Sequence, residues 1–113
     1  MTNKYRARPT TVDGIKFDSK REAARYGELK LRERAGEIRD LVCHPKFSLV
    51  VNGFRVGGYT ADFSYDERVP TFRHRYVFVV EDVKSPATAK RADYVLRKKL
   101  MAAIHGIEIR EVF

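Results

Sequence analysis

At 113 residues, 43% hydrophobic, 12% aromatic and 34% charged, the sequence suits one folded domain: two cores would each be too small to offset conformational entropy, and a disordered tail is excluded. Lys and Arg total 23 against 15 Asp and Glu, a formal charge of +8 with a pI near 9.8, which predicts polyanionic partners. No apolar run approaches a membrane span, the polar start Met1 to Arg6 predicts no export, and Cys43, the single cysteine, excludes an intrachain disulfide, so a cytoplasmic, reducing setting is expected.

The first eighteen residues read as a basic arm and a small β-ribbon. Thr10 to Val12 and Ile15 to Phe17 flank Asp13-Gly14, a dipeptide suited to a tight hairpin. Residues 19–113 then form the core. Ser19-Lys20-Arg21-Glu22 has the capping-box spacing and predicts a helix from Ser19 to Ala35, ended by Gly36, with Ala24, Gly27, Leu31 and Ala35 inward.

Three strands are expected next. Lys46 to Val51 leads through Asn52-Gly53 to Phe54, and the chain returns past Gly57-Gly58 into Tyr59 to Tyr65. A loop from Asp66 to Arg75 follows. Tyr76 to Lys84 opens as the apolar run Tyr76-Val77-Phe78-Val79-Val80, which predicts a central strand covered on both faces. Ser85-Pro86 opens a second helix, running to His105 and stopped by Gly106, with Ala92, Leu96, Leu100 and Ala103 inward and Arg91, Tyr94 and Lys98 on another stripe. A short strand, Ile107 to Val112, completes the order αβββαβ, an α/β (α+β) arrangement of a mixed sheet and two flanking helices.

Strand alternation puts Asp82 and Lys84 on one face, and Asp62 joins them if its strand pairs in an even register, opposite Asp82 or Val80. Two carboxylates so placed can hold a hard divalent ion, Mg²⁺ or Mn²⁺, which keeps waters and accepts a phosphate oxygen. Lys84 would orient the attacking water or stabilise charge on the phosphorane. Glu81 points to the opposite face, which favours an ion pair with a helix cation. The three histidines lack the spacing of a zinc site.

Asp62 followed by Asp82-x-Lys84, in this element order, resembles the PD-(D/E)xK nuclease superfamily and looks closest to small phage-encoded endonucleases of endonuclease I or Holliday-junction-resolvase type. Phe17 to Ala23 and Glu81 to Lys84 carry most of the likeness, which spans about Tyr5 to Val112. It departs at the leading proline, where Ala61 stands. The resemblance implies a restriction-endonuclease-like core, metal ligation by Asp62, Asp82 and the Val83 carbonyl, water assistance by Lys84, and a catalytic role for Glu22. It implies a metal-dependent DNA endonuclease leaving 5′-phosphates, and a phage origin would place it in a bacterial cytosol.

Each assignment has a plainer rival. Glu22 also serves as the third residue of the capping box, and Asp62, Asp82 and Lys84 can form a structural ion network. Basic clusters at Lys4/Arg6/Arg8, Lys20/Arg21/Arg25, Arg73/Arg75, Lys90/Arg91 and Arg97/Lys98/Lys99 can line a DNA groove or merely solvate the surface. Of these, Lys20, Arg21, Arg73, Arg75, Arg91 and Lys98, with Tyr94, are the candidate DNA contacts. A basic DNA-binding module without catalysis is the competing function. The small size also makes a homodimer plausible.

Overall fold

The computed structural model describes residues 8–113; Lys4, Tyr5 and Arg6 lie outside them. Strands β1 (Thr10–Val12) and β2 (Ile15–Phe17) form the expected ribbon. Asp13 and Gly14 both take positive φ, 53° and 75°, as a two-residue hairpin turn requires. Helix α1 (Lys20–Arg34) starts where expected, with Ser19 Oγ accepting from the Glu22 N–H at 3.1 Å.

Four strands make the main sheet, in the order β3-β6-β7-β8. They are β3 (Ile38–Cys43), β6 (Phe63–Arg68), β7 (Tyr76–Val83) and β8 (Arg110–Val112). β3, β6 and β7 are antiparallel neighbours, and β8 joins β7 in parallel after α2 (Pro86–Ala89) and α3 (Ala92–His105). The remaining strands, β4 (Lys46–Val51) and β5 (Phe54–Thr60), pair only with each other, about a turn in which Asn52 and Gly53 also have positive φ. The result is a mixed α+β protein. Among the described residues, no helix is long and apolar enough to cross a membrane.

Several expectations are corrected. The first strand of the main sheet is Ile38–Cys43, where no strand was expected, and Lys46–Val51 belongs to the separate hairpin. Asp40, at φ 56°, interrupts β3 with a register shift between Arg39 and Val42, which scrambles the alternation that would reveal a strand. The segment Tyr59 to Tyr65 is broken at Ala61-Asp62, so its two halves serve different sheets. β6 runs on to Arg68, shortening the loop before β7. The second helix is divided at Lys90-Arg91, which gives three helices among the described residues rather than two.

Both long helices are rotated from their expected faces. α1 buries Glu22, Ala23, Tyr26 and Leu29 and leaves Leu31 64% exposed; α3 buries Tyr94 and Met101 and leaves Leu96 59% exposed. Burial free energy follows apolar area, so a tyrosine with a leucine or methionine outweighs a stripe of small residues. β7 is covered on both faces only in its second half. Val79, Val80, Glu81 and Asp82 are buried, while Val77 and Phe78 are half exposed.

The sheet separates two apolar clusters. Phe17, Ala23, Tyr26, Leu29, Ile38, Phe63, Tyr65 and Val79 pack on the α1 side. On the other, Leu49, Tyr59, Ala61, Val80, Tyr94, Met101 and Ile109 pack beneath α3 and the base of the β4–β5 hairpin. Alternation along β7 therefore turns Glu81 into the α1 cluster and Asp82 toward α3. Glu81 is 0% exposed and fully engaged: Arg25 donates to both of its oxygens at 2.7 and 3.0 Å, and the Tyr65 hydroxyl donates at 2.5 Å. The ion pair expected for Glu81 is thus present, and its hydrogen bond is the largest cause of the raised Arg25 pKa. Substituting Arg25→Ala strands a buried carboxylate and should lower the unfolding free energy by about 3 kcal/mol. Urea denaturation checks this, and a loss below about 1 kcal/mol would contradict the role given to the pair.

Candidate active site

Asp62 and Asp82 are brought together by backbone pairing. Phe63 stands opposite Glu81 in the β6–β7 ladder, so continuing the register sets Asp62 opposite Asp82. Each carboxylate reaches across to the other strand. Asp82 Oδ1 accepts from the Asp62 N–H at 2.8 Å, and Asp62 Oδ2 accepts from the Val83 N–H at 2.7 Å. One oxygen of each carboxylate is thereby fixed; the other accepts no hydrogen bond from the described residues and is open to solvent. Burial pushes the Asp62 carboxyl up to about 6, with the Glu22 charge adding to the rise. Asp82, 3% exposed, is raised by burial too, against the pull of Lys84.

Lys84 follows on the same face as Asp82. Its N–H donates to Val112 O at 2.8 Å, and its ammonium stands 4.1 Å from the centre of the Tyr94 ring. Tyr94 is no surface residue. Its hydroxyl donates to Glu111 Oε2 at 2.8 Å, Lys98 Nζ donates to Glu111 Oε1 at 2.9 Å, and burial raises the tyrosine pKa. Burial alone would raise Glu111 as well, but the bonds from Lys98 and Tyr94 overcome it and hold the carboxyl below its ordinary value. Glu111 pairs directly with Asp82 in the β7–β8 ladder. No motif marked it; only the parallel pairing brings it here.

Glu22 is buried at the start of α1, yet it does not complete a reciprocal capping box. Its Oε2 accepts from the Asp18 N–H at 3.3 Å, and its Oε1 lies 2.9 Å from His44 Nε2. It acts on both aspartates through its charge. Among the described residues, no three Asp, Glu, His or Cys side chains stand close enough together to hold a metal ion, so Glu22 and Glu111 flank the aspartate pair rather than join it. The donor set still fits a hard cation. It is all oxygen, two desolvated carboxylates are held side by side, and each keeps an oxygen without a protein partner. The Val83 N–H is committed to Asp62, which ties the third expected ligand residue to the pair through its backbone.

The candidate DNA contacts are dispersed. Lys20 and Arg21 are exposed in the first turn of α1, near Glu22. Arg91 precedes α3 and pairs with Asp93. Arg73 and Arg75 lie in the β6–β7 loop, at the end of β7 away from Asp82 and about 23 Å along the strand from it. Tyr94 and Lys98 turn inward to Glu111 and do not share a solvated stripe with Arg91.

Fold and site together define a mixed α+β protein with two carboxylates, Asp82 buried and Asp62 partly buried, locked across neighbouring strands. A family model described as a protein of unknown function (DUF1064) matches residues 2–111, and the chain belongs to that family. No curated protein and no solved structure matches it.

A folded pKa above the unfolded one means that the native state holds its proton more tightly, so Asp62 costs stability as pH rises from about 4 to about 6. The isosteric Asp62→Asn variant carries no such cost. Its stability relative to the parent should grow across that window and level off above it, and 10 mM Mg²⁺ should shrink the difference at pH 7.5. Paired urea titrations across pH test both effects; a difference independent of pH contradicts them.

Proposed function

We propose that the chain is a metal-dependent DNA endonuclease of the PD-(D/E)xK type, with a restriction-endonuclease-like αβββαβ core interrupted by the β4–β5 hairpin. The observation that carries this reading is the mutual clamp of Asp62 and Asp82 with Lys84 on the same face. A structural ion network would pair these carboxylates with cations. Here each instead accepts a backbone N–H and leaves one oxygen unpartnered among the described residues, at a cost in desolvation that an incoming cation would repay.

Asp62, Asp82 and the Val83 carbonyl would hold Mg²⁺ or Mn²⁺. When bound, the ion polarises a phosphoryl oxygen and lowers the pKa of water. The Asp62 carboxylate, raised to about 6, is ionised at neutral pH and so available as a ligand. Lys84 sets its ammonium against the charge that grows on the phosphorane, and the Tyr94 ring, anchored by Glu111, keeps that ammonium from swinging to solvent. The net charge of +8 favours a nucleic acid over a neutral substrate. A homodimer would supply a second site for the opposite strand.

Purified protein incubated with supercoiled and branched DNA should cut it in Mg²⁺ and not in EDTA. Asp82→Asn and Lys84→Ala should each lower the rate at least about 100-fold while DNA binding in a gel-shift assay persists. Cleavage indifferent to EDTA and to Asp82→Asn refutes the mechanism. Binding without cleavage on any substrate favours the non-catalytic DNA-binding module.

A further inference from the structure

His44 joins β3 to the β4–β5 hairpin with φ at +56°, a left-handed conformation uncommon outside glycine even though histidine enters it more readily than most residues. Three contacts hold it there. Its N–H donates to the Asp62 carbonyl at 2.9 Å, its Nε2 lies 2.9 Å from Glu22 Oε1, and its ring packs tilted against buried Phe17, with centroids 5.7 Å apart. A carboxylate only accepts, so Nε2 carries the hydrogen of this bond. The side chain remains 34% exposed although its partner Glu22 is buried. One residue thus ties the helix carboxylate to the main chain of a proposed metal ligand, across 22 residues of sequence.

We infer that His44 is a positioning residue of this site: its imidazole fixes the Glu22 carboxylate in a single orientation, so that the Glu22 charge acts on the aspartate pair from one place. This rests on the nuclease reading of the same site. Without the imidazole, the long bond from the Asp18 N–H at 3.3 Å is the only hydrogen bond left on the Glu22 carboxylate among the described residues. A rotating carboxylate would then replace an ordered one. An imidazole that merely filled space would be dispensable here, because glycine and asparagine both accept the backbone angle.

The test compares the full-length parent with His44→Gly, His44→Asn and the double variant Glu22→Ala/His44→Gly. Readouts are Mn²⁺ affinity by calorimetry, without DNA, and Mg²⁺-dependent plasmid nicking. Glycine and asparagine both preserve the turn, so a folding failure of one leaves the other. For His44→Gly, Mn²⁺ affinity and nicking rate should each fall about 10-fold to 100-fold, with KM for DNA within twofold of the parent. Added imidazole at tens of millimolar should restore most of both, but only while Glu22 is present. His44→Gly matching the parent in both readouts overturns the proposal and leaves the nuclease reading standing. So does a loss that imidazole fails to repair, and so does rescue in the double variant, which would mean that the imidazole acts without Glu22. A parent that neither binds Mn²⁺ nor nicks DNA overturns the nuclease reading and this proposal with it.

Discussion

A one-residue slip of β7 against β6 would turn every β7 side chain to the other face of the sheet, placing Glu81 beneath α3 and Asp82 against α1. The register that prevents this is fixed from both sides. On the α1 face, Phe63 and Tyr65 fill the larger apolar cluster, and Tyr65 gives its hydroxyl to Glu81. On the other face, the Asp62–Asp82 clamp forms only when Asp62 stands opposite Asp82. Successive carboxylates in one strand therefore meet opposite fates. Glu81 is neutralised by Arg25 and sealed, whereas Asp82 keeps an oxygen without a protein partner among the described residues.

This division explains what could be read from the sequence. The Asp13-Gly14 and Asn52-Gly53 turns, the Ser19 cap and the common face of Asp82 and Lys84 were legible because each depends on residues at most a few positions apart. The opposite orientation of Glu81 followed from the same alternation. What failed depends on tertiary competition. β3 was hidden by its bulge at Asp40, and the helix faces were misread because spacing counts positions whereas burial counts area. Glu111 and His44 gave no local signal, since parallel pairing delivers one and a contact 22 residues away in sequence delivers the other.

The β4–β5 hairpin links the two halves of the site. It leaves the main sheet at His44-Pro45 and returns at Ala61-Asp62, and the crossing is closed by His44 N–H to Asp62 O and Ala61 N–H to Pro45 O at 2.9 and 3.0 Å. Leu49 and Tyr59 anchor its base beneath α3, while Val50, Val51, Phe54 and Val56 farther out stay exposed. That projection helps to explain a radius of gyration of 15.2 Å, against about 13 Å for a compact chain of this length. Its base is rigid where it matters. The closed crossing means that Asp62 cannot move without dragging the His44 turn.

Stability and chemistry pull in opposite directions at this crossing. Folding desolvates Asp62 near the charge of Glu22, which raises its pKa to about 6 and makes the ionised carboxylate less favourable than the neutral one. The remainder of the fold offsets that strain with well-satisfied ion pairs placed elsewhere: Arg25 with Glu81 in the α1 core, and Arg110 and Arg32 with Glu67 farther along the sheet. The Arg110 bond is the leading cause of the lowered Glu67 pKa, so that cluster stabilises the protein in the range where the aspartates destabilise it. Lys84 offsets part of the aspartate charge while the Tyr94 ring holds its ammonium in a cation–π contact. The two pulls meet in Asp62, whose carboxyl is raised by burial and by the Glu22 charge and only partly brought back by the Val83 N–H, Lys84 and His44.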